Sequence, residues 1–373
     1  MPVQLAASSC MSEPENRIRS LVRPTVLEME AYHVQPSSGL VKLDAMENPY
    51  PLPDALRQSW LEAIGRCDLN RYPDASATAL AATVRRINGV PESCGLFFGN
   101  GSDELIQIIL TTVAVPGATV LAPEPGFVMY SQVARSLGLE FVGVPLLPES
   151  FALDRQAMLA TLKQRRPSVV FLAYPNNPTG NLFAEDDMLS ILEAAPGLVV
   201  IDEAYAPFAE ATFMDRVGEY PHLLLMRTIS KLGLAGLRLG YLVGHPLWVE
   251  QFNKVRLPYN INTLTQLTAE LALSSYSVFD EQSRKIRKDR QRLFESLAGM
   301  GGVSPFESRA NFILFRVDGK PATRVFEDLK KAGVLIKSMG DAEGPLKGCL
   351  RVTVGKAAEN EKFFRELSRI VSG

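Results

Sequence analysis

The 373-residue chain has 46% apolar and 21% charged residues and a formal net charge of −2, so no strongly basic surface for nucleic acid or anionic membranes is expected. Its four cysteines and three histidines are too scattered for a disulfide framework or a metal site, and no apolar run reaches membrane length. We therefore expect a cytoplasmic protein of about two domains that binds small molecules, without metal, nucleic acid or membrane as partners.

The first two predicted segments are an N-terminal arm and a large domain. The arm covers residues 1–45, is polar and flexible over about its first 20 residues, and packs with the small domain or a partner subunit. In the large domain, residues 46–265, short apolar runs alternate with helical patterns, which predicts a mostly parallel sheet covered on both faces. The strands are expected at 118–123, 168–174, 198–202, 222–228 and 240–244, with helices at 103–114, 127–137 and 185–195.

A smaller α+β domain is predicted for residues 266–373. Long helices are expected over 263–299, followed by strands at 310–317 and 349–355 with a helix at 321–332 between them. The basic run at 284–292 could be a nucleic-acid patch. Because the whole chain is not basic, we favour the solvent-exposed face of a helix.

Two charged residues follow or end predicted strands, where α/β sheets bind their ligands. Lys231, in SKLGLAGLR, comes directly after one strand, and a lysine removed from water has a lowered pKa and can form a Schiff base with an aldehyde. A loop lysine is, however, most often a surface charge. Asp202 ends another strand, where a buried carboxylate needs a partner such as a protonated ring nitrogen, unless it caps the next helix.

Two turns add to this pattern. The run NNPTG at 176–180 is turn-forming in its own right, but it could also place the Asn177 amide on a ring hydroxyl. The run GNGSDEL at 99–105 opens a helix, whose N-terminus can bind phosphate or can simply be a capped helix start. All four segments occur in one chain in a fixed order, and that order favours the functional interpretation.

With these segments, the chain from about residue 23 onward resembles the fold-type I, class II aminotransferases, and within them the histidinol-phosphate aminotransferase family. Further motifs that carry the resemblance are KLDAMENPYPLP (42–53), LNRYPD (69–74), PYNIN (258–262), ANFILFR (310–316) and LRVTVG (350–355). The resemblance implies an α/β fold, pyridoxal 5′-phosphate (PLP) as cofactor, a homodimer, and transamination of L-histidinol phosphate with 2-oxoglutarate in histidine biosynthesis.

Three alternatives stay open at this point. An aromatic amino acid aminotransferase and a threonine-phosphate decarboxylase are built on the same fold, and decarboxylation would release carbon dioxide and consume no keto acid. A PLP-binding regulator is disfavoured, because such a protein would be expected to carry a fused DNA-binding domain or to have lost the lysine. Here Lys231 is present and the arm is short.

The resemblance also implies roles for single residues. Lys231 would hold the cofactor and shuttle the proton, Asp202 would pair with the pyridine nitrogen, and Tyr205 would join them as a catalytic residue. Asn177 and Tyr205 would bind the ring hydroxyl, and Phe127 would stack on the ring. The phosphate cup would consist of Ser102, Asp103, Glu104, Thr228, Ser230 and Arg238, with Tyr72 reaching it from the neighbouring subunit.

Arg351, Lys337 and Asn48 are expected to bind substrate, with the Arg351 guanidinium accepting a carboxylate or a phosphate bidentately. Two features depart from the family pattern, one at Lys337 and one in the segment around Lys231. Lys337 stands where an arginine is expected. The lysine keeps the positive charge but lacks the planar guanidinium that binds an anion bidentately. SKLGLAGLR is shorter than the expected SKAFALAGLR, and a glycine in it is expected to absorb the tighter turn.

Overall fold

The computed structural model describes residues 12–31 and 33–372 of the chain. Its strands form a large sheet, a smaller antiparallel sheet and a two-stranded pairing. The strands are β1 (Val41–Lys42), β2 (Gly95–Gly99), β3 (Thr119–Glu124), β4 (Glu140–Pro145), β5 (Val169–Ala173), β6 (Leu198–Asp202), β7 (Leu223–Thr228), β8 (Gly240–Gly244), β9 (Val303–Pro305), β10 (Phe312–Val317), β11 (Val334–Leu335), β12 (Lys337–Ser338) and β13 (Cys349–Thr353).

The helices connect these strands and cover the sheets. They are α1 (Glu13–Leu21), α2 (Pro24–Leu27), α3 (Asp54–Ile64), α4 (Thr78–Asn88), α5 (Ser102–Val113), α6 (Met129–Ser136), α7 (Arg155–Arg165), α8 (Glu185–Ala194), α9 (Ala206–Ala209), α10 (Pro246–Val255), α11 (Thr263–Ser274), α12 (Tyr276–Ala298), α13 (Ala322–Lys331) and α14 (Ala357–Ser372). None of the described helices combines the length and the apolar composition that crossing a membrane requires.

The large sheet has seven strands in the order β2-β8-β7-β6-β5-β3-β4, and β8 runs antiparallel to its neighbours while the other pairings between adjacent strands are parallel. This confirms the predicted mostly parallel sheet. Two of its strands were not predicted. β4 lies at the edge of the sheet with half-exposed residues, and β2 is a short run between glycines, so neither has the continuous apolar pattern of a central strand.

Alternate residues along the central strands pack into two separate cores. Leu121 and Leu172 face the core under α4, α7, α8 and α11, whereas Val120 and Phe171 face the core under α5, α6 and α10. The sheet is therefore covered on both faces, which explains why its strands are apolar throughout.

The second sheet is antiparallel, in the order β12-β13-β10-β9, and packs against α13, α14 and the end of α12. β1 pairs with β11, so the segment before the large sheet is attached to this second unit. The domain limits at 45 and 265 stay predictions. Residue 265 lies inside α11, whose Ala269 and Leu273 pack in the core of the large sheet.

The N-terminal arm is more ordered than expected. Residues 1–11 lie outside the described residues, but α1 forms where a flexible segment was predicted. Ser12 accepts a hydrogen bond from the Glu15 amide, and Glu15 accepts one from the Ser12 amide, so the two residues form a reciprocal cap. The Arg23 guanidinium then ties the segment to the Ser136 carbonyl at the end of α6.

The basic run at 284–292 lies in α12, as predicted, and part of it is exposed. Arg284 and Lys285 pair with Asp280 and Glu281 one turn earlier on the same helix. Arg287 and Arg290 instead turn inward and donate to the carbonyls of Pro207 and Phe208 in α9. The segment is therefore not a continuous basic surface.

A buried ion pair joins the ends of β6 and β7 on the side of the sheet away from Asp202. Glu203 is 1% exposed, and its Oε2 accepts from Nη2 of Arg227 at 2.7 Å and from Nε at 2.9 Å. Its Oε1 accepts from the Phe213 amide, and Nη1 of Arg227 donates to Asn88. Both charges are thus fully engaged at the strand ends that carry the site described below.

We predict that Arg227→Met lowers the free energy of unfolding by about 3–5 kcal/mol, because it leaves the Glu203 carboxylate buried without its cation. Urea unfolding followed by circular dichroism measures the change. The matched control is Arg216→Met, whose pair with Glu185 is largely exposed, so stability should change little. Equal effects of the two variants would contradict the structural importance of the buried pair.

Candidate active site

A cavity opens at the carboxyl ends of β5, β6 and β7, where the start of α5 also arrives. Its walls contain every residue predicted to bind the cofactor except Glu104 and Tyr72. The residues brought together are Ser102, Asp103, Phe127, Asn177, Asp202, Tyr205, Thr228, Ser230, Lys231 and Arg238. Because parallel strands end on the same edge, motifs far apart in sequence meet here.

Lys231 lies in an irregular helical turn, Ser230–Leu234, directly after β7. Gly233 in this turn has φ +132°, and a Cβ there would lie 3.0 Å from Nδ2 of Asn48. The glycine therefore absorbs the short turn, as predicted. Asn48 donates to the Leu232 carbonyl and to Gln282, and accepts from the Tyr50 amide. Its amide thus holds the lysine turn and does not line the cavity, and its predicted contact with substrate stays a prediction.

The amine of Lys231 is held away from water. Its Nζ lies 3.2 Å from the Ala45 carbonyl and 5.8 Å from the centre of the Tyr205 ring. Burial of the ammonium group, reinforced by the positive charge of Arg351, lowers the pKa of Lys231 to about 8. The neutral amine, which is the form that attacks an aldehyde, is therefore far more populated near neutral pH than in an ordinary lysine.

Asp202 is a buried carboxylate at the end of β6. Its Oδ2 accepts from the Tyr130 hydroxyl at 2.6 Å, and its Oδ1 accepts from the Ala204 amide at 3.0 Å. Burial raises the pKa of Asp202 to about 6, and the two hydrogen bonds oppose that rise. The carboxylate is thus mostly ionised at neutral pH, in a place where a cationic ring nitrogen would stabilise it further.

The cavity also has an anion-binding end where α5 begins. Gly101 has φ +84°, and a Cβ on it would lie 2.7 Å from Nη2 of Arg238. A Cβ on Gly240 would lie 2.9 Å from the Ser102 amide. The two glycines therefore let the helix start, with its free N–H groups, come close to the Arg238 guanidinium.

The hydroxyls of Thr228 and Ser230, 2.9 Å apart, complete this donor set. Arg238 donates to Asp103 at 3.1 Å. Glu104 does not line the cavity, because its carboxylate accepts from the Asn100 amide and from Asn260. Its predicted place in the phosphate cup stays a prediction.

Arg351 and Lys337 lie on the second sheet, and Arg351 contacts Asn177 in the cavity wall. The buried Arg351 guanidinium donates to Oδ1 of Asn177 and to the Asp44 carbonyl, and lies 5.2 Å from the centre of the Phe312 ring. Lys337 is directly opposite Arg351 in the antiparallel pairing of β12 with β13. Side chains of opposite residues in such a pair emerge on the same face, so the two cations are neighbours.

Tyr72 is 80% exposed and stacks on Tyr259, with ring centres 4.5 Å apart. It does not line the cavity of its own chain.

Two residues of the site were missed by sequence reasoning. Tyr130, the hydrogen-bond partner of Asp202, lies three residues after Phe127, and that helical spacing could have indicated it. Met46 lines the cavity with φ +54°, held through its amide by Thr353 and through its carbonyl by Asn311. No short sequence motif predicts that backbone hydrogen bonds to distant residues hold Met46 in the cavity wall.

The residues present fit a phosphorylated pyridine aldehyde. A lysine with a lowered pKa, a buried carboxylate, an aromatic ring and a phosphate-binding helix start surround one cavity. This combination defines a PLP-dependent enzyme. The family model "Aminotransferase class I and II" matches residues 38–367, and the chain belongs to that family.

Relatives that are about 50% identical to this chain carry the more specific name histidinol-phosphate aminotransferase. The chain is 50% identical over 353 residues to histidinol-phosphate aminotransferase 2 of Nitrosococcus oceani, covering 95% of this chain and 98% of that protein. It is 51% identical to histidinol-phosphate aminotransferase 1 of Ralstonia nicotianae, covering 92% of each.

Among solved structures, histidinol-phosphate aminotransferase of Sinorhizobium meliloti in complex with PLP matches with a TM-score of 0.85 at 25% identity, covering 95% of this chain and 98% of that one. L-threonine-O-3-phosphate decarboxylase of Porphyromonas gingivalis matches with a TM-score of 0.76 at 21% identity, covering 90% and 100%. These likenesses confirm the fold-type I expectation and PLP as cofactor. The fold alone does not separate transamination from decarboxylation.

We predict that, in the cofactor-free protein, covalent labelling of Lys231 by an amine-selective reagent rises as the pH rises through about 8, because only the neutral amine reacts. Peptide mass spectrometry measures the labelled fraction. In Arg351→Met the midpoint should move to higher pH, since a neighbouring positive charge that disfavours the ammonium is removed. A midpoint at the ordinary lysine value of about 10.4 in the unaltered protein would contradict the assigned environment.

Proposed function

We propose that this chain transfers the amino group of L-histidinol phosphate to 2-oxoglutarate, a step of histidine biosynthesis in the cytoplasm. The observation that carries the proposal is the pair of neighbouring cations, Arg351 and Lys337, on one face of the second sheet, with Arg351 in contact with Asn177 of the cavity wall. A substrate with its own phosphate needs such a second anion site. The names and the identity of the relatives support the same substrate.

PLP, when bound, supplies an aldehyde carbon and a pyridine ring that stabilises negative charge at the substrate carbon. In the proposal, Lys231 holds the cofactor and then, as a free amine, moves the proton between the substrate carbon and the cofactor. The Asp202 carboxylate keeps the ring nitrogen protonated. Tyr205 and the Asn177 amide donate to the ring hydroxyl, and Phe127 covers one face of the ring.

The Asn177 side chain has a special position in this scheme. Its Oδ1 accepts from the Arg351 guanidinium, so the amide group is oriented with its nitrogen as the remaining donor. Asn177 thereby links the residue proposed to bind substrate to the one proposed to bind the ring hydroxyl. The phosphate of the cofactor is assigned to the start of α5 with Thr228, Ser230 and Arg238.

Arg351 is proposed to serve both half-reactions. A guanidinium fork binds a carboxylate and a phosphate with equal geometric ease, so one side chain suits glutamate and histidinol phosphate in turn. Lys337 is proposed as the second cation for the more highly charged phosphate. It is half-buried and less constrained than Arg351, which fits an auxiliary contact.

We also propose that the enzyme is a homodimer. Tyr72 and Tyr259 stack on each other, and close to them in sequence lie Leu69 and Leu257, which are 71% and 73% exposed. Large apolar side chains grouped on a surface are typical of an interface. A second copy covering this surface would bring Tyr72 to the phosphate of the partner's cofactor, so each cavity would be complete only in the dimer.

The test of the proposed function is a comparison of amino donors. We expect the specificity constant for histidinol phosphate with 2-oxoglutarate to exceed those for phenylalanine and aspartate, because neither of these carries a phosphate for Arg351 and Lys337. Glutamate formation measures the rate. Release of carbon dioxide from threonine phosphate without consumption of a keto acid would favour the decarboxylase alternative, and a preference for phenylalanine would favour the aromatic aminotransferase.

A second prediction separates the two cations. Arg351→Ala should lower the specificity constants for histidinol phosphate and for glutamate, each by roughly 30-fold or more, because a buried charge-assisted contact is lost. Lys337→Ala should lower mainly that for histidinol phosphate. Lys347→Ala, an exposed lysine paired with Glu343, is the matched control and should change neither. Equal small effects of Lys337→Ala on both substrates would make it an ordinary surface lysine.

A further inference from the structure

The Asp202 carboxylate has a partner that is not one of the residues assigned above to cofactor or substrate. The Tyr130 hydroxyl on α6 donates to Oδ2 of Asp202 at 2.6 Å, and both side chains are buried. The Ala204 amide occupies the other oxygen. The carboxylate is thus fixed in rotation by two donors before any ligand arrives.

The ring of Tyr130 is itself held on two sides. It stacks on Phe171 of β5, with ring centres 4.5 Å apart and planes 7° from parallel. It also meets Phe127, the residue proposed to cover the cofactor ring, edge to face at 5.5 Å. The hydroxyl therefore has little freedom to move away from Asp202, and one aromatic cluster links the proposed ring-stacking and ring-nitrogen contacts.

The charges around Asp202 make such a donor necessary. Burial favours the neutral carboxylic acid, and the nearby negative charges of Asp103 on α5 and of Glu203, directly after β6, act in the same direction. The Tyr130 hydroxyl stabilises the ionised form, which is the form that can pair with a protonated ring nitrogen.

We propose that Tyr130 is a positioning residue that keeps Asp202 ionised and aimed at the pyridine nitrogen of the cofactor. It acts through Asp202 and is not itself assigned to touch the cofactor. The proposal rests on the proposed pairing of Asp202 with that nitrogen. It does not depend on the identity of the amino donor.

The test compares PLP with 1-deaza-PLP, an analogue that has a carbon in place of the pyridine nitrogen. Binding of each to the cofactor-free enzyme is measured by fluorescence titration, without substrate. Tyr130→Phe should weaken PLP binding about tenfold, in line with loss of a hydrogen bond to a charged group, and should leave 1-deaza-PLP binding within about twofold of the unaltered protein. The phenylalanine keeps the stacking on Phe171.

The matched control is Tyr241→Phe, which removes a buried tyrosine hydroxyl that lies beside Arg227 and not beside Asp202. It should not change the ratio of the two affinities. Equal weakening of PLP and 1-deaza-PLP by Tyr130→Phe would overturn the proposal, since a merely structural hydroxyl affects both ligands alike. No weakening of either would overturn it as well.

Asp202→Ala distinguishes failure of this proposal from failure of the assignment beneath it. If Asp202→Ala selectively weakens PLP but Tyr130→Phe does not, Asp202 pairs with the nitrogen without help from Tyr130 and only the present proposal fails. If Asp202→Ala weakens PLP and 1-deaza-PLP equally, the pairing of Asp202 with the nitrogen is wrong, and the role of Tyr130 falls with it.

Discussion

Burial of opposite charges at one edge of a parallel sheet is the constraint on which the rest of this structure depends. Asp202 and Lys231 both lie where water is largely excluded. Burial favours the neutral form of each, so it raises the pKa of Asp202 and lowers the pKa of Lys231. Isolated buried charges destabilise a fold, so the surrounding strands must supply enough packing to hold them. The strand ends are further fixed by the neighbouring Glu203–Arg227 pair, whose two charges satisfy each other. The candidate site thus lies at strand ends that this buried pair also joins.

The sequence predicted the parts of the fold and site that depend on local pattern. The central strands were found because burial on both faces makes them apolar throughout, and Asp202 and Lys231 stood out because they interrupt or follow such runs. Directions of side chains were not predictable in the same way. Asn48 and Glu104 lie within matching motifs, yet their polar atoms are bound by neighbours from distant segments, Gln282 and Asn260.

The residues proposed to bind the cofactor and those proposed to bind the substrate belong to different sheets. The large sheet carries the residues assigned to the cofactor, and the second sheet carries Arg351 and Lys337. They meet at the NNPTG turn, where Asn177 accepts from Arg351 and the Gly180 carbonyl accepts from the Arg309 amide. A change at Arg351 on the second sheet would therefore also reach Asn177 and Lys231 on the large sheet.

One helix, α12, spans both units. Its 23 residues span about 34 Å at 1.5 Å per residue. Near its start Phe279 packs in the core of the large sheet, and near its end Leu297 packs in the core of the second sheet. Between these ends, Arg287 and Arg290 donate hydrogen bonds to carbonyls of α9, the short helix that begins directly after Tyr205. One continuous helix therefore connects the cores of both sheets, and between them it contacts the segment that follows Tyr205.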